Sequence, residues 1–267
     1  HDQRQARVAI FQETFAAANR GYVDHMGQEQ TVHVEAMKKK TAIFEGADLQ
    51  YAMPSKRYSA TQVSFVNQDS LQVAREKAST GARVAVLNMA RKDKAGGSVD
   101  KGSGAQEESL CRSTTLYQSL SQFKKYAIPE LGVIYSAGVE IIREGEQQGY
   151  GFIPPVGIDV ISSAAYDCNP AHGPSVDRPK DEAQYEANTK EKIRAILRAA
   201  GHNKVDELIL SAFGCGAFKN KPEEMARFFQ DVIHEPEFEG CFKGITFAIL
   251  DPAEHTLNTF QSTISQA

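Results

Sequence analysis

With 267 residues, 41% of them hydrophobic, the chain is long enough to bury a sizeable core, and one large domain is the simplest reading. Thirty basic residues against 34 acidic ones leave a formal charge of −4, which offers no electrostatic grip on long nucleic acid and predicts no DNA partner. No run of 18 apolar residues exists and the N-terminal stretch lacks a signal-peptide core. The four cysteines (Cys111, Cys168, Cys215, Cys241) form neither a CxxC pair nor a Cys/His metal pattern. A soluble protein with reduced thiols is therefore expected, in the cytoplasm or, in a eukaryote, the nucleus, with no metal, no cofactor and no membrane contact.

In chain order, Val8, Phe11, Phe15 and Ala18 recur at helical spacing and Gly21 follows as a stop, predicting an N-terminal helix. Residues 22–57 read as irregular, with a solvated basic run at Lys38 to Lys40. The pattern then becomes regular. "TQVSFV" (61–66) is a strand, "DSLQVAREKA" a capped helix, "ARVAVLNMA" (82–90) a strand and "QEESLCRSTTLYQSLSQF" a helix. "GVIYSAGVEIIRE" and "GIDVISSAA" are apolar strands, residues 167–181 the clearest loop, and "DEAQYEANTKEKIRAILRAAG" a long helix with interleaved, solvated charges. "DELILSAF" is a buried strand, followed by a glycine loop, the helix "KPEEMARFFQDVI", the strand "KGITFAIL" and a short terminal helix. Helices interleaved with near-continuous apolar strands predict a three-layer α/β fold with a mixed sheet, in which ligands bind beyond the carboxyl ends of the strands.

Two glycine loops each follow a strand and precede a helix: residues 96–104, and "GCGAFKNKPEE" from Gly214. Glycines there let successive amides converge on an anion, and the following helix adds its positive end. A side chain at Gly216 would obstruct those amides or demand a forbidden backbone angle. Neither loop has the ending of a nucleotide P-loop or the order of a dinucleotide fold, and either is equally well explained as a structural turn. Lys219 and Lys221 stand near enough to touch a phosphate, although loop lysines are more often solvated. Cys215, between two glycines at a helix start, has the setting of a low-pKa nucleophile but no histidine motif to support it, and Cys111 is expected in the core. His172 and His202 lack metal-ligand spacing.

The acids say more. Gln106, Glu107 and Glu108 open a helix whose apolar side carries Leu110, Leu116 and Leu120. Acids in a first helical turn are ordinary, since the helix dipole stabilises them. A carboxylate beside a phosphate-cradling loop can also protonate a glycosidic leaving oxygen and then deprotonate water. Because the dipole favours the ionised form, a general acid here needs burial or the substrate's own charge to raise its pKa.

These residues resemble the signature of poly(ADP-ribose) glycohydrolases, three glycines followed after a short spacer by Gln-Glu-Glu, here Gly96-Gly97-Ser98 and then Gln106-Glu107-Glu108 with Asn88 upstream. "SAFGCGAFKN" looks like that family's diphosphate loop, and "LCRSTTLY", "GVIYSAGV" and "FAILD" are similar to segments of its microbial-type branch. The resemblance implies a macrodomain-like core over 58–267 with an N-terminal helical extension, residues 1–57, packed on it. It implies Glu108 as acid/base, Glu107 positioning the distal ribose, Gln106 beside them, Asn88 orienting that ribose, and Gly96, Gly97, Ser98 and Val99 closing over ribose and phosphate. Gly214, Cys215, Gly216 and Ala217 would surround the diphosphate and Phe218 would pack on the distal ribose. Phe247 would stack on adenine, with Ser70 as a polar contact. The implied reaction is hydrolysis of ribose-ribose bonds in poly(ADP-ribose), releasing ADP-ribose. No adenine-clamping tyrosine insert is recognisable, which favours trimming from chain ends. Two rivals remain, a hydrolase acting on mono-ADP-ribosylated proteins and a non-catalytic ADP-ribose reader; Ser98, which departs from the signature, argues for the reader and the intact Gln-Glu-Glu against it.

Overall fold

A computed structural model describes residues 2–50, 55–174 and 177–267. Helix α1 (Asp2–Arg20) ends at Gly21, whose φ of +81° only glycine adopts readily. The stretch read as irregular holds a two-stranded ribbon, β1 (Tyr22–Val23) and β2 (Glu29–Gln30), then α2 (Val34–Lys40), β3 (Thr41–Phe44) and α3 (Gly46–Leu49). Lys38 to Lys40 form the last turn of α2, where cations complement the helix dipole. Next come β4 (Gln62–Val66), α4 (Ser70–Ala78), β5 (Val84–Met89), α5 (Gln106–Ser113), α6 (Leu116–Ser121), β6 (Val133–Arg143) and β7 (Phe152–Ser163). The chain closes with α7 (Glu182–His202), β8 (Glu207–Leu210), α8 (Pro222–Ile233), β9 (Gly244–Ala248) and α9 (His255–Thr263). The loop read over 167–181 is described except at 175 and 176.

Seven strands form one mixed sheet in the order β3-β6-β7-β5-β8-β9-β4. The run from β7 to β4 is parallel, whereas β3, β6 and β7 pair antiparallel. The edge strand β3 thus comes from the segment taken to lie outside the core. Both faces of the sheet are covered. Along β5, Ala85 and Leu87 pack into one apolar layer and Val84 and Val86 into the other; along β8, Leu208 and Leu210 separate from Ile209 in the same way. Strands buried on both faces lose the polar half of the alternation, which is why they read as continuous apolar runs.

One helix was expected over 106–123, and there are two. The break comes at Thr114 and Thr115, where the chain turns extended to make a β-bridge from Thr114 to Ile141, and the Thr115 amide donates to the Glu140 carbonyl at 3.1 Å. Thr114 Oγ1 accepts the Leu116 amide at 3.0 Å and so starts the second helix. The charges of α7 are not merely solvated. Arg194 and Arg198 form two-point pairs with Glu235 and Glu237, and Lys190 meets Asp231 of α8 at 2.8 Å. Among the described residues, no helix is long and apolar enough to cross a membrane.

Candidate active site

The site lies where β5, β8, β9 and β4 end. Pairing between β5 and β8 stops at Val86 and Ile209, which would leave the next polar groups of β5 open. Gln106 closes that gap: its Oε1 accepts the Met89 amide at 2.8 Å and its Nε2 donates to the Leu87 carbonyl at 2.7 Å. One side chain thereby continues the ladder and fixes the first turn of α5 on the sheet. Glu107 and Glu108 follow, exposed by 2% and 6%.

Glu107 accepts the Arg91 amide at 2.9 Å and the Asn88 side-chain amide at 3.1 Å. Burial pushes its carboxyl up to about 8, and the neighbouring Glu108 charge adds to the rise against those two hydrogen bonds. Glu108 accepts the Ser98 amide at 3.0 Å and faces the Ser103 hydroxyl at 3.4 Å. The two carboxyls share one buried setting at a helix start, and burial keeps the Glu107 carboxyl protonated near neutral pH.

The loop over this pair depends on glycine at two places. Gly96 and Gly97 have φ of +74° and +59°, and a Cβ on Gly97 would stand 2.1 Å from Glu108 Oε2. Ser98 has φ of −102°, a conformation any residue adopts, so the broken third glycine leaves the loop's path intact. Val99 is buried beneath it. Behind the loop, the fully buried Arg112 donates to the Ser103 carbonyl at 2.6 Å, the Tyr150 hydroxyl at 2.9 Å and Ser109 Oγ at 3.1 Å. Thr14 of α1 holds the Arg112 carbonyl at 2.6 Å, so the N-terminal helix braces this end of the site.

The second loop is built from outside. The carbonyl of Gly214 accepts the Asn220 amide at 3.0 Å, that of Gly216 the Lys219 amide at 3.0 Å, that of Ala217 the Asn169 side chain at 2.9 Å, and that of Phe218 the Cys168 amide at 2.7 Å. Asn220, buried and held by the Tyr185 hydroxyl, also reaches Gly214 and Tyr166. With its carbonyls so engaged, the loop leaves the amides of Gly214, Gly216, Ala217 and Phe218 without an acceptor among the described residues. Uncapped amides in succession make an anion nest. A cavity of about 310 Å³ runs from Cys215 and Gly216 to Ser70, Gln106, Ile249 and Leu250 on one side of this loop.

The model of the family described as "Microbial-type PARG, catalytic domain" matches residues 11–144, half of the chain. The chain belongs to the microbial-type poly(ADP-ribose) glycohydrolase family. Among solved structures, it is 27% identical to the Thermomonospora curvata glycohydrolase bound to the inhibitor ADP-HPD, over 97% of this chain and 99% of that one, with a TM-score of 0.84. It is 30% identical to the Deinococcus radiodurans glycohydrolase in complex with ADP-ribose, over 86% of this chain and 96% of that one, with a TM-score of 0.75. No curated protein matches.

Within this family's architecture, several expected residues sit elsewhere than the sequence suggested. Phe247 is fully buried, stacked on Phe65 at 5.4 Å and edge-on to Phe229 at 5.2 Å, so it has no face for adenine and belongs to the core. Leu250, 52% exposed, lines the cavity, and so does Ser70. Asn88 is fully buried, with its amide nitrogen on Glu107 and Ser162 and its Oδ1 without a partner among the described residues. Lys219 and Lys221 line a separate cavity, together with Cys168, Arg178, Tyr185 and Asn220. Burial pushes the Cys215 thiol up to about 12, which leaves it protonated and removes the nucleophile reading, and Cys111 is in the core. Sequence reasoning missed Arg112. A charged residue four positions after Glu108 on a helix otherwise buried was the available signal.

Proposed function

We infer that this protein hydrolyses the ribose-ribose O-glycosidic bonds of poly(ADP-ribose), from chain ends, and releases ADP-ribose. The observation that carries this reading is the buried Glu107/Glu108 pair held under the first glycine loop, together with the row of uncapped amides on the second. The strand order gives the substrate its direction. Nucleobase lies in the cavity over β4 and β9, diphosphate on the Gly214 to Phe218 amides beyond β8, and distal ribose under Gly97 and against Phe218 beyond β5. Glu108 gives its proton to the leaving ribose oxygen as the glycosidic bond breaks. The bound diphosphate faces the developing oxocarbenium charge, and Glu108 then takes a proton from the water that adds to the anomeric carbon. Each turnover consumes one water and shortens the polymer by one unit. The four cysteines are free thiols, which supports action in a reducing compartment such as the cytoplasm.

Automodified, poly(ADP-ribosyl)ated protein tests the reading. Release of free ADP-ribose with one unit left on the acceptor is expected. Complete removal of the last unit would mark a mono(ADP-ribosyl) hydrolase, and binding without turnover a reader. In the same assay Glu108→Gln keeps the shape but not the transferable proton, and turnover falls by about a hundred- to ten-thousand-fold while ADP-ribose still binds.

A further inference from the structure

The strand order that arranges ADP-ribose continues past the scissile bond, from β5 to β7. Beyond β5, toward β7, a second cavity of about 480 Å³ opens between Arg91 and Asp93 on the loop after β5, Ala165 and His172 on the loop after β7, and Phe218 at the end of the amide nest. It adjoins the backbone that holds Glu107, since the amide of Arg91, one of its lining residues, donates to that carboxylate at 2.9 Å. Its volume falls in the range of about 300–1,000 Å³ that holds a small-molecule ligand, more than a pentose fills.

We propose that this cavity is the subsite for the leaving unit of the polymer, and that it takes the adenosine whose 2′-oxygen departs. This rests on the glycohydrolase reading, which requires such a nucleoside on the far side of Glu108 from the bound ADP-ribose. Charge selects the nucleoside over its phosphates. Among the described residues of this cavity, both cations are already matched, Arg91 with Asp93 at 2.9 Å and Lys92 with Asp177 at 2.9 Å, and the His172 ring is held by Asp167 at 2.8 Å. The walls therefore present no surplus positive charge to a diphosphate. They do present two rings, those of His172 and Phe218, with centroids 6.5 Å apart and planes at 83°, which form a corner into which a flat base fits by stacking on one ring and meeting the edge of the other. Phe218 thus serves both units, turning its backbone amide to the diphosphate and its ring to the neighbouring nucleoside.

His172→Ala separates the two units, since ADP-ribose alone reaches only the first. Losing one stacking partner lowers kcat/KM on long poly(ADP-ribose) about tenfold, while the Kd of ADP-ribose by calorimetry stays within about twofold of the parent. His172→Phe keeps a flat ring without the Asp167 contact and restores kcat/KM to within about threefold. Equal losses in polymer turnover and ADP-ribose binding would overturn the subsite, as would no loss on polymer, or a Phe variant as impaired as the Ala variant, which would assign the effect to the Asp167 contact. Failure of the parent protein to release ADP-ribose from polymer is a separate result, and it would sink the glycohydrolase reading itself.

Discussion

The two glycine loops look alike in sequence and use glycine for opposite reasons. In the first, Gly97 is filled space: φ is +59° and the place of its missing Cβ is taken by the Glu108 and Glu107 carboxylates. In the second, Gly216 is exposed, has no left-handed angle, and nothing lies within 4 Å of where its Cβ would be. The first loop is closed around protein acids and the second is open toward a ligand anion. Gly214, with φ of +70° and a Cβ position 2.5 Å from Ala165 and Asn220, is where the second loop depends on glycine for its own fold. Glycine content alone marks both loops, and only geometry separates packing from presentation.

Gly97→Ala is the sharpest break of that contrast. The new methyl needs the space of Glu108 Oε2 in a backbone region that L-residues disfavour, so the carboxylate must move. A displacement of about 1 Å at a reacting group costs on the order of a hundredfold in rate. We expect kcat to fall at least that far in polymer hydrolysis while ADP-ribose affinity changes less. A variant with parental kcat would show that Glu108 does not act from its observed position.

The buried pair gives the next largest effect. Glu107 holds its proton up to about 8 because of burial, so it ionises, and kcat/KM falls about tenfold per unit, as pH rises above that value. The same shift has a sign for stability. The folded pKa lies above the unfolded one of about 4.3, so the stabilisation is fully present below that pH and is lost as pH rises toward 8. Glu107→Gln, neutral throughout, loses less Tm between pH 5 and 9 than the parent. Parallel Tm profiles for the two proteins would mean that Glu107 ionises normally.

How much of this was legible in the sequence depends on whether a residue's role is local. The strand and helix order could be read because each element carries its own period, and the Gln-Glu-Glu helix because its acids sit at a start. The break at Thr114 could not, since it is made by a bridge to Ile141, far along the chain. Edge strand β3 is only four residues long, and its Ala-Ile-Phe stretch is too short to stand out as a strand. Phe247 misled for the reverse reason: on a strand covered on both faces, every residue is buried and the pattern does not say which face meets a ligand. Arg112 acts through Ser103 and Tyr150, a partnership assembled only by folding.

At the open loop the structure revises the expectation for Gly216→Val. No forbidden angle is involved, so Tm stays parental, and only the bulk beside the amides counts. The Kd for ADP-ribose rises about tenfold, or ~1.4 kcal/mol. Calorimetry and a melting curve decide it together. A large drop in Tm would give Gly216 the structural role assigned here to Gly214.

The smallest effect is expected where the signature itself departs, at Ser98. Its amide, not its side chain, holds Glu108 at 3.0 Å, and glycine supplies the same amide. Its φ of −102° is open to either residue, so Ser98→Gly relieves no strain. What changes is the freedom of the unfolded chain and of the loop, worth about 0.4–1 kcal/mol when glycine replaces a residue at an unstrained position. Two forces pull on the rate: a lost hydroxyl contact to phosphate lowers it, and less crowding over the ribose raises it. Since a serine is small and its hydroxyl exchanges with one water contact, the net change in kcat/KM on defined polymer stays within about tenfold, with Tm slightly lowered. A rise from negligible to robust turnover would mean that the serine holds the natural protein inactive. The uncapped amides would then serve recognition of ADP-ribose without its hydrolysis.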